Sequence, residues 1–228
     1  MKSYKYTNKG RREENQDYVI EGTLPDGTGI YVVADGMGGY SDGAVAASVV
    51  ANSIFDFFNL YHSNYSPNEL LMNALTSAND ALMMKKMTLS SKKTGCVVAA
   101  MIVSGGFSYM TWLGDTRIYM YREGKEVYRT KDHSLINELA EKNQLTPSLI
   151  EKYSSVVTRA IMGESKIENP PIRKIKVEEG DVFVICTDGF YKDIDMQRAY
   201  NYDESQKAIL DEMSESVSDN YSFIKVEV

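Results

Sequence analysis

Along the chain, segments whose apolar residues recur at the helical period alternate with short runs that are apolar throughout. Ile30-Tyr31-Val32-Val33-Ala34 is such a run, and its β-branched and aromatic content predicts a strand buried on both faces. It ends on Asp35, and Gly36-Met37-Gly38-Gly39 follows with three glycines in four positions. These let the backbone turn sharply and leave the carboxylate without bulky neighbours. Upstream, residues 5–17 are polar, a short strand is expected at 18–21, and Leu24-Pro25-Asp26-Gly27 has turn chemistry. A hairpin across that turn places Asp17 and Asp35 near the same end.

Two helices follow in the pattern. The first, over 43–60 with Ser41-Asp42 as cap, aligns Ala44, Ala47, Ala51, Ile54, Phe55 and Phe58 on one face. The second starts at Ser66-Pro67 and buries Leu70, Leu71, Ala74, Leu75, Ala78, Leu82 and Met83, with the methionines around Met87 read as core filler. A run of strands is then expected at 96–103, 107–113, 118–122 and 127–130, paired as an antiparallel meander because the connections are short. Asp132 is a candidate cap for a helix over 135–142, and Thr146-Pro147 opens another helical turn. The pattern weakens over 144–171, which reads as a flap. A modest strand at 172–177, a fully buried one at 182–187 ending on Asp188-Gly189, a helix over 203–213 and a last strand at 221–228 complete the chain. This order predicts an α+β fold over residues 1–228 as a single domain. Its form is a four-layer α/β/β/α sandwich, two antiparallel sheets face to face with helices outside, and strand ends from both sheets share one rim.

Composition narrows the functions. At 228 residues, 43% hydrophobic and 25% charged, the chain is ordinary globular material. A net charge of -7 argues against nucleic acid as a partner. No uninterrupted apolar stretch approaches a membrane span, and the first residues lack the apolar core of a signal peptide. Cys96 and Cys186 sit in apolar runs and read as buried, unpaired thiols of a reducing compartment, so a cytoplasmic, monomeric protein without a membrane partner is expected.

Carboxylates supply the chemistry. Asp35, Asp115 and Asp188 each follow an apolar strand, Asp219 precedes one and Asp17 opens one. Taken singly, Asp-Gly at a strand end is the mark of a tight turn. Together these residues make an all-oxygen site that suits Mg²⁺ or Mn²⁺. Neither a Cys/His zinc set, a helix-loop-helix calcium loop nor a Gly-Lys-Ser/Thr phosphate loop is present in the sequence.

These residues, in this order, resemble the metal-dependent protein serine/threonine phosphatases of type 2C, and their compact bacterial branch in particular. Arg12-Glu13-Glu14-Asn15-Gln16-Asp17 is similar to the family's Arg-x-x-Asn-Glu-Asp, and Asp35-Gly36-Met37-Gly38-Gly39 to its Asp-Gly-Met-Gly-Gly. Gly114-Asp115-Thr116-Arg117 resembles Gly-Asp-Ser-Arg, and Lys131-Asp132-His133-Ser134 resembles Thr-x-Asp-His-Ser. Thr158-Arg159-Ala160-Ile161-Met162-Gly163 is similar to the segment after the flap, Thr187-Asp188-Gly189-Phe190 to Ser-Asp-Gly-Leu, and Asp219-Asn220-Tyr221-Ser222 to Asp-Asn-x-Thr/Ser.

The resemblance implies hydrolysis of phosphoserine and phosphothreonine in proteins by a water activated between two Mn²⁺ or Mg²⁺ ions about 4 Å apart. Asp35 would bridge the metals, the Gly36 carbonyl would bind one, Asp188 and Asp219 the other, and Asp17 would serve the metal held by Gly36. Asp115 matches the residue associated with a third, weaker metal, and Arg12 would clamp the phosphate. Phosphoproteins, and a cognate kinase with its substrates, are the implied partners. Three departures stand out: Gln16 replaces a Glu, Met37 takes the place of a His found in some relatives, and Lys192-Asp193 stands where some carry a further acidic ligand. His133 is read as ordering the turn before a helix. The alternative is a catalytically silent, phosphoprotein-binding regulatory module of the same fold.

Overall fold

The computed structural model describes residues 1–38, 42–89, 93–167 and 169–228. The expected cap residue Ser41 and the last glycine of the Gly36–Gly39 run lie outside the described residues. In chain order the elements are β1 (Lys2–Asn8), β2 (Asp17–Thr23), β3 (Gly29–Met37), α1 (Asp42–Tyr61), α2 (Pro67–Lys86), β4 (Gly95–Ser104) and β5 (Phe107–Leu113). There follow β6 (Arg117–Arg122), β7 (Lys125–Arg129), α3 (Leu135–Glu141), α4 (Pro147–Tyr153), β8 (Ile172–Lys176) and β9 (Val182–Cys186). The chain ends with α5 (Asp188–Asp193), α6 (Met196–Tyr200), α7 (Lys207–Glu212) and β10 (Tyr221–Glu227).

The strands form two antiparallel sheets, β1-β10-β9-β6-β7 and β2-β3-β4-β5-β8. The period of two along each central strand sorts side chains into layers. Tyr31 and Val33 of β3 meet Phe183 and Ile185 of β9 and Ile224 and Val226 of β10 in the core between the sheets. Ile30, Val32 and Ala34 face the other way, into α1 and α2. Val184, Tyr221 and Phe223 face a third cluster under Phe190, Ala199 and Leu210 of the later helices. This is the expected four-layer sandwich, and it explains why the central strands are apolar throughout.

The hairpin of β2 and β3 closes on Leu24 to Gly27 as expected, with Gly27 N–H donating to the Leu24 carbonyl at 2.9 Å. Ser66 and Glu69 form a capping box at the start of α2. α1 contains a stretch of mean hydropathy 1.3 and is by length and composition long and apolar enough to cross a membrane. Asn52, Asp56 and Asn59 interrupt it, so the expectation of no uninterrupted apolar span stands. Its Ala46, Ala47, Val50, Ile54 and Phe58 are nonetheless buried against β3 and α2.

Several expectations are corrected. The residues between 107 and 122 are not one meander: β5 and β6 lie in different sheets, and Gly114 to Thr116 carries the chain across. A short connection excludes a parallel crossover within one sheet, but it can pass between stacked sheets. β1 falls in what the sequence pattern presents as a polar lead-in. Its only inward residues are Tyr4 and Tyr6, an alternation too brief to register. The helix expected at 203–213 is broken: only Lys207–Glu212 is α-helical, flanked by single 3-10 turns. α5 and α6 are each too short to show a helical period in the sequence. Met83 and Met87 are 40% and 75% exposed, so they are not core filler. Asp132 does not cap α3. Ser134 does, while Asp132 pairs with Arg117 through two contacts of 2.8 and 2.7 Å.

Ile185 is wholly buried between the sheets. Ile185→Ala is expected to cost about 2–5 kcal/mol in urea unfolding. Ile209→Ala, at a position 48% exposed, should change stability by less than about 0.5 kcal/mol in the same measurement.

Candidate metal centre

Asp17 and Asp35 are register partners on neighbouring strands. Asp35 continues the phase of Tyr31 and Val33, so the pair terminates the core between the sheets. The other sheet answers with Thr187, directly after β9, whose hydroxyl donates to Asp17 Oδ2 at 2.9 Å. Asp188 then opens α5, Asp219 immediately precedes β10, and Asp115 sits in the crossing from β5 to β6. All five expected carboxylates therefore reach one rim. Gly36 is required there because any Cβ would collide with the Gly43 carbonyl oxygen. Its N–H donates to the Gln16 carbonyl at 3.0 Å, and the Gln16 side chain lies against Gly43. A cavity of about 550 Å³ opens over Arg12, Gln16, Asp35 and Asp219.

The electrostatics are those of crowded like charges. Burial, then the charges of Asp17, Asp188, Asp115 and Asp219, push the Asp35 carboxyl well above the usual range. Asp35 nevertheless keeps an edge open to the cavity. Burial lifts Asp17 to about 7, against the pull of hydrogen bonds from Ser222 and Thr187. Asp115 rises to about 6 through burial and the neighbouring Asp188. Asp17 Oδ1 is buried and has no hydrogen-bond partner.

Two cations of the chain already answer the outer carboxylates. Arg12 Nη2 lies 2.8 Å from Asp219 Oδ2, and Lys192 Nζ lies 2.6 Å from Asp188 Oδ2. Among the described residues no three carboxylate, imidazole or thiolate groups close tightly enough to enclose an ion as they stand. The donor set still fits a hard divalent cation. It is all oxygen, it holds an orphaned buried carboxylate oxygen, and its inner carboxyls are raised by burial and by neighbouring like charges.

The supports around the site were less visible in the sequence. Asn220 accepts from Gln16 N–H at 2.8 Å and donates to the carbonyls of Lys9 and Glu14 at 2.8 and 2.9 Å, so one amide fastens the loop that carries Arg12. Tyr191 donates to the Asp115 carbonyl at 3.1 Å, and the Arg117 guanidinium lies 3.7 Å from its ring centroid. His133 accepts from Gly114 N–H at 3.2 Å and stacks on Trp112, so its ring braces the crossing from β5 to β6. Asp193 Oδ2 accepts from both the backbone N–H and the hydroxyl of Ser218 at 3.0 Å. The order Asp219-Asn220 carried the one available signal for Asn220, whereas Lys192 and Tyr191 become visible only once α5 is formed.

Two stacked sheets that end in an all-oxygen carboxylate rim define a fold suited to hard divalent cations, and comparison with known proteins identifies the family. Residues 7–223 match the family model described as Protein phosphatase 2C. The protein phosphatase PhpP of Streptococcus pneumoniae is 26% identical over 190 residues, covering 78% of this chain and 74% of PhpP. The serine/threonine protein phosphatase PstP of Mycobacterium tuberculosis is 26% identical over 185 residues, covering 78% of this chain and 34% of PstP. Among solved structures, the PstP catalytic domain in complex with two manganese ions superposes with a TM-score of 0.81 at 22% identity, covering 99% of this chain and 97% of that one. The Streptococcus agalactiae serine/threonine phosphatase gives 0.82 at 23% identity, covering 100% and 99%. The chain belongs to the protein phosphatase 2C family, the metal-dependent protein serine/threonine phosphatases.

Two outcomes are expected from this geometry. Asn220→Ala should lose roughly 2 kcal/mol by stranding buried backbone groups, and trypsin should cut faster after Lys9, Arg11 and Arg12. The metal-free protein should lose stability as pH rises. A carboxyl whose folded value of about 7 exceeds the ordinary 3.8 binds its proton better when folded, so the stabilisation is complete below 3.8 and is lost as pH climbs through about 7. Thermal scans in chelator between about pH 5 and about pH 8 should show this fall, and Asp17→Asn should flatten it by on the order of 2 kcal/mol.

Proposed function

We propose that the chain removes phosphate from phosphoserine and phosphothreonine of proteins, with two divalent cations, Mn²⁺ or Mg²⁺, held at the rim. Asp35 and the Gly36 carbonyl, assisted by Asp17, would hold one cation. Asp35, Asp188 and Asp219 would hold the other, and Asp115 would offer a weaker outer position. The observation that carries this reading is the pairing of Asp17 with Asp35, two crowded carboxylates with an orphaned oxygen between two sheets. When bound there, such cations bring a water within reach of deprotonation at neutral pH and offset charge on the phosphoryl oxygens.

The chain's own groups do the rest. Arg12, with its side chain 59% exposed at the mouth of the cavity, can turn its planar fork from Asp219 to two phosphate oxygens. Glu13 and Glu14 line the same cavity and keep its edge polar. Phosphoryl transfer asks chiefly for positioning and charge stabilisation, so rigid strand ends are suited to it. We assign residues 144–171 as a flap beside the site, within one domain spanning 1–228, and place the protein in the cytoplasm as a monomer acting on a kinase's substrates. A silent phosphoprotein-binding module would not need to retain Asp35, Asp188 and Asp219 together, so retention of all three favours the enzyme.

Hydrolysis of a phosphothreonine peptide should require added Mn²⁺ or Mg²⁺ and stop in EDTA. Asp35→Ala and Asp188→Ala should each lower kcat/KM by about 10³-fold. Activity undiminished by EDTA sinks the proposal.

A further inference from the structure

Lys192 lies one helical turn beyond Asp188 on α5, the spacing at which side chains of a helix meet. Its ammonium sits 2.6 Å from Asp188 Oδ2, with side chains 46% and 21% exposed. The same charge reaches Asp115, where it opposes the upward push of burial and of Asp188. Arg12 stands in the corresponding relation to Asp219 on the far side of the cluster. The outer carboxylates thus carry tethered counter-ions, while Asp17 keeps an oxygen without a partner.

We propose that Lys192 is a positioning residue that competes with the divalent cation for Asp188, holding this carboxylate in place in the metal-free chain and setting the affinity at which metal enters. The inference rests on the metal reading above and assigns a role to a residue outside the ligand set. A fixed positive charge beside Asp188 repels an incoming dication and must yield at least part of its contact. Its half exposure moderates the effect through solvent screening. Removing the charge should therefore act in opposite directions on the two states. The metal-free protein loses an ion pair and leaves Asp188 uncompensated, while the metal-bound protein loses a repulsion. A purely structural lysine would instead weaken both.

Calorimetric titration of Mn²⁺ into chelator-stripped protein, paired with thermal scans, tests this. Lys192→Met should bind Mn²⁺ about fivefold more tightly than wild type, have a lower Tm without metal, and gain more on adding it. Lys192→Gln should do the same, and Lys192→Arg should stay within about twofold of wild type because the charge is kept. Unchanged or weaker Mn²⁺ binding by both Lys192→Met and Lys192→Gln overturns the inference while leaving the metal reading intact. No binding heat in wild type and variants alike overturns both.

Discussion

Like charge confined at the end of an apolar core is the constraint on which this structure turns. Asp17 and Asp35 face each other across adjacent strands, at the point where the layer of Val33, Ile185 and Ile224 gives out. A carboxylate there has lost much of its water and gained neighbours of its own sign, and both effects oppose ionisation. The chain answers only in part: Arg12 and Lys192 compensate Asp219 and Asp188. Such a cluster persists because the sheets beneath it are well packed and can carry the local cost.

The site needs both sheets, which makes stacking a condition of function and not merely of stability. One sheet brings Asp17, Asp35 and Gly36, and the other brings Asp188 and Asp219. The crossing from β5 to β6 brings Asp115 from between them. Thr187 to Asp17 is a hydrogen bond from one sheet to the other, and Asn220 secures the Arg12 loop onto the strand that follows it. A shift of one residue in β2 would turn Asp17 to the opposite face, so register is held by the same alternation that fills the core.

Legibility in the sequence followed the strength of local signal. β4 and β9 are continuous apolar runs whose ends fall within a residue of those expected. β3 instead runs past Ala34 to Met37, with Asp35 and Gly36 inside the strand opposite Val97 and Cys96 and not in a sharp turn. The convergence of Asp35, Asp188 and Asp219 followed from those ends. β1 and the short helices α5 and α6 were not legible, because two inward tyrosines or five residues of helix leave too little period to detect. The passage between sheets at Asp115 was missed because a short connection looks the same whether it turns within a sheet or steps to its neighbour. The ion pairs of Arg12 and Lys192 were equally hidden. Lys192 stands four residues after Asp188, but that spacing has meaning only on a helix.

Stability and loading by metal are thus two sides of one balance. A ligand that binds only the folded chain stabilises it by mass action, and it does so most where the empty site is least comfortable. Asp17 and Asp35, raised by burial and by like charge, supply that discomfort, and on the proposed metal reading its relief would contribute to the affinity for a cation. The tethered cations limit it from the other direction, making the empty site tolerable at Asp188 and Asp219 while leaving the inner pair uncompensated. A site with every carboxylate so paired would fold well and bind metal poorly, and a site with none paired would bind metal well and fold poorly. Counter-ions at the rim and carboxylates without a paired cation at the end of the core place this chain between those limits.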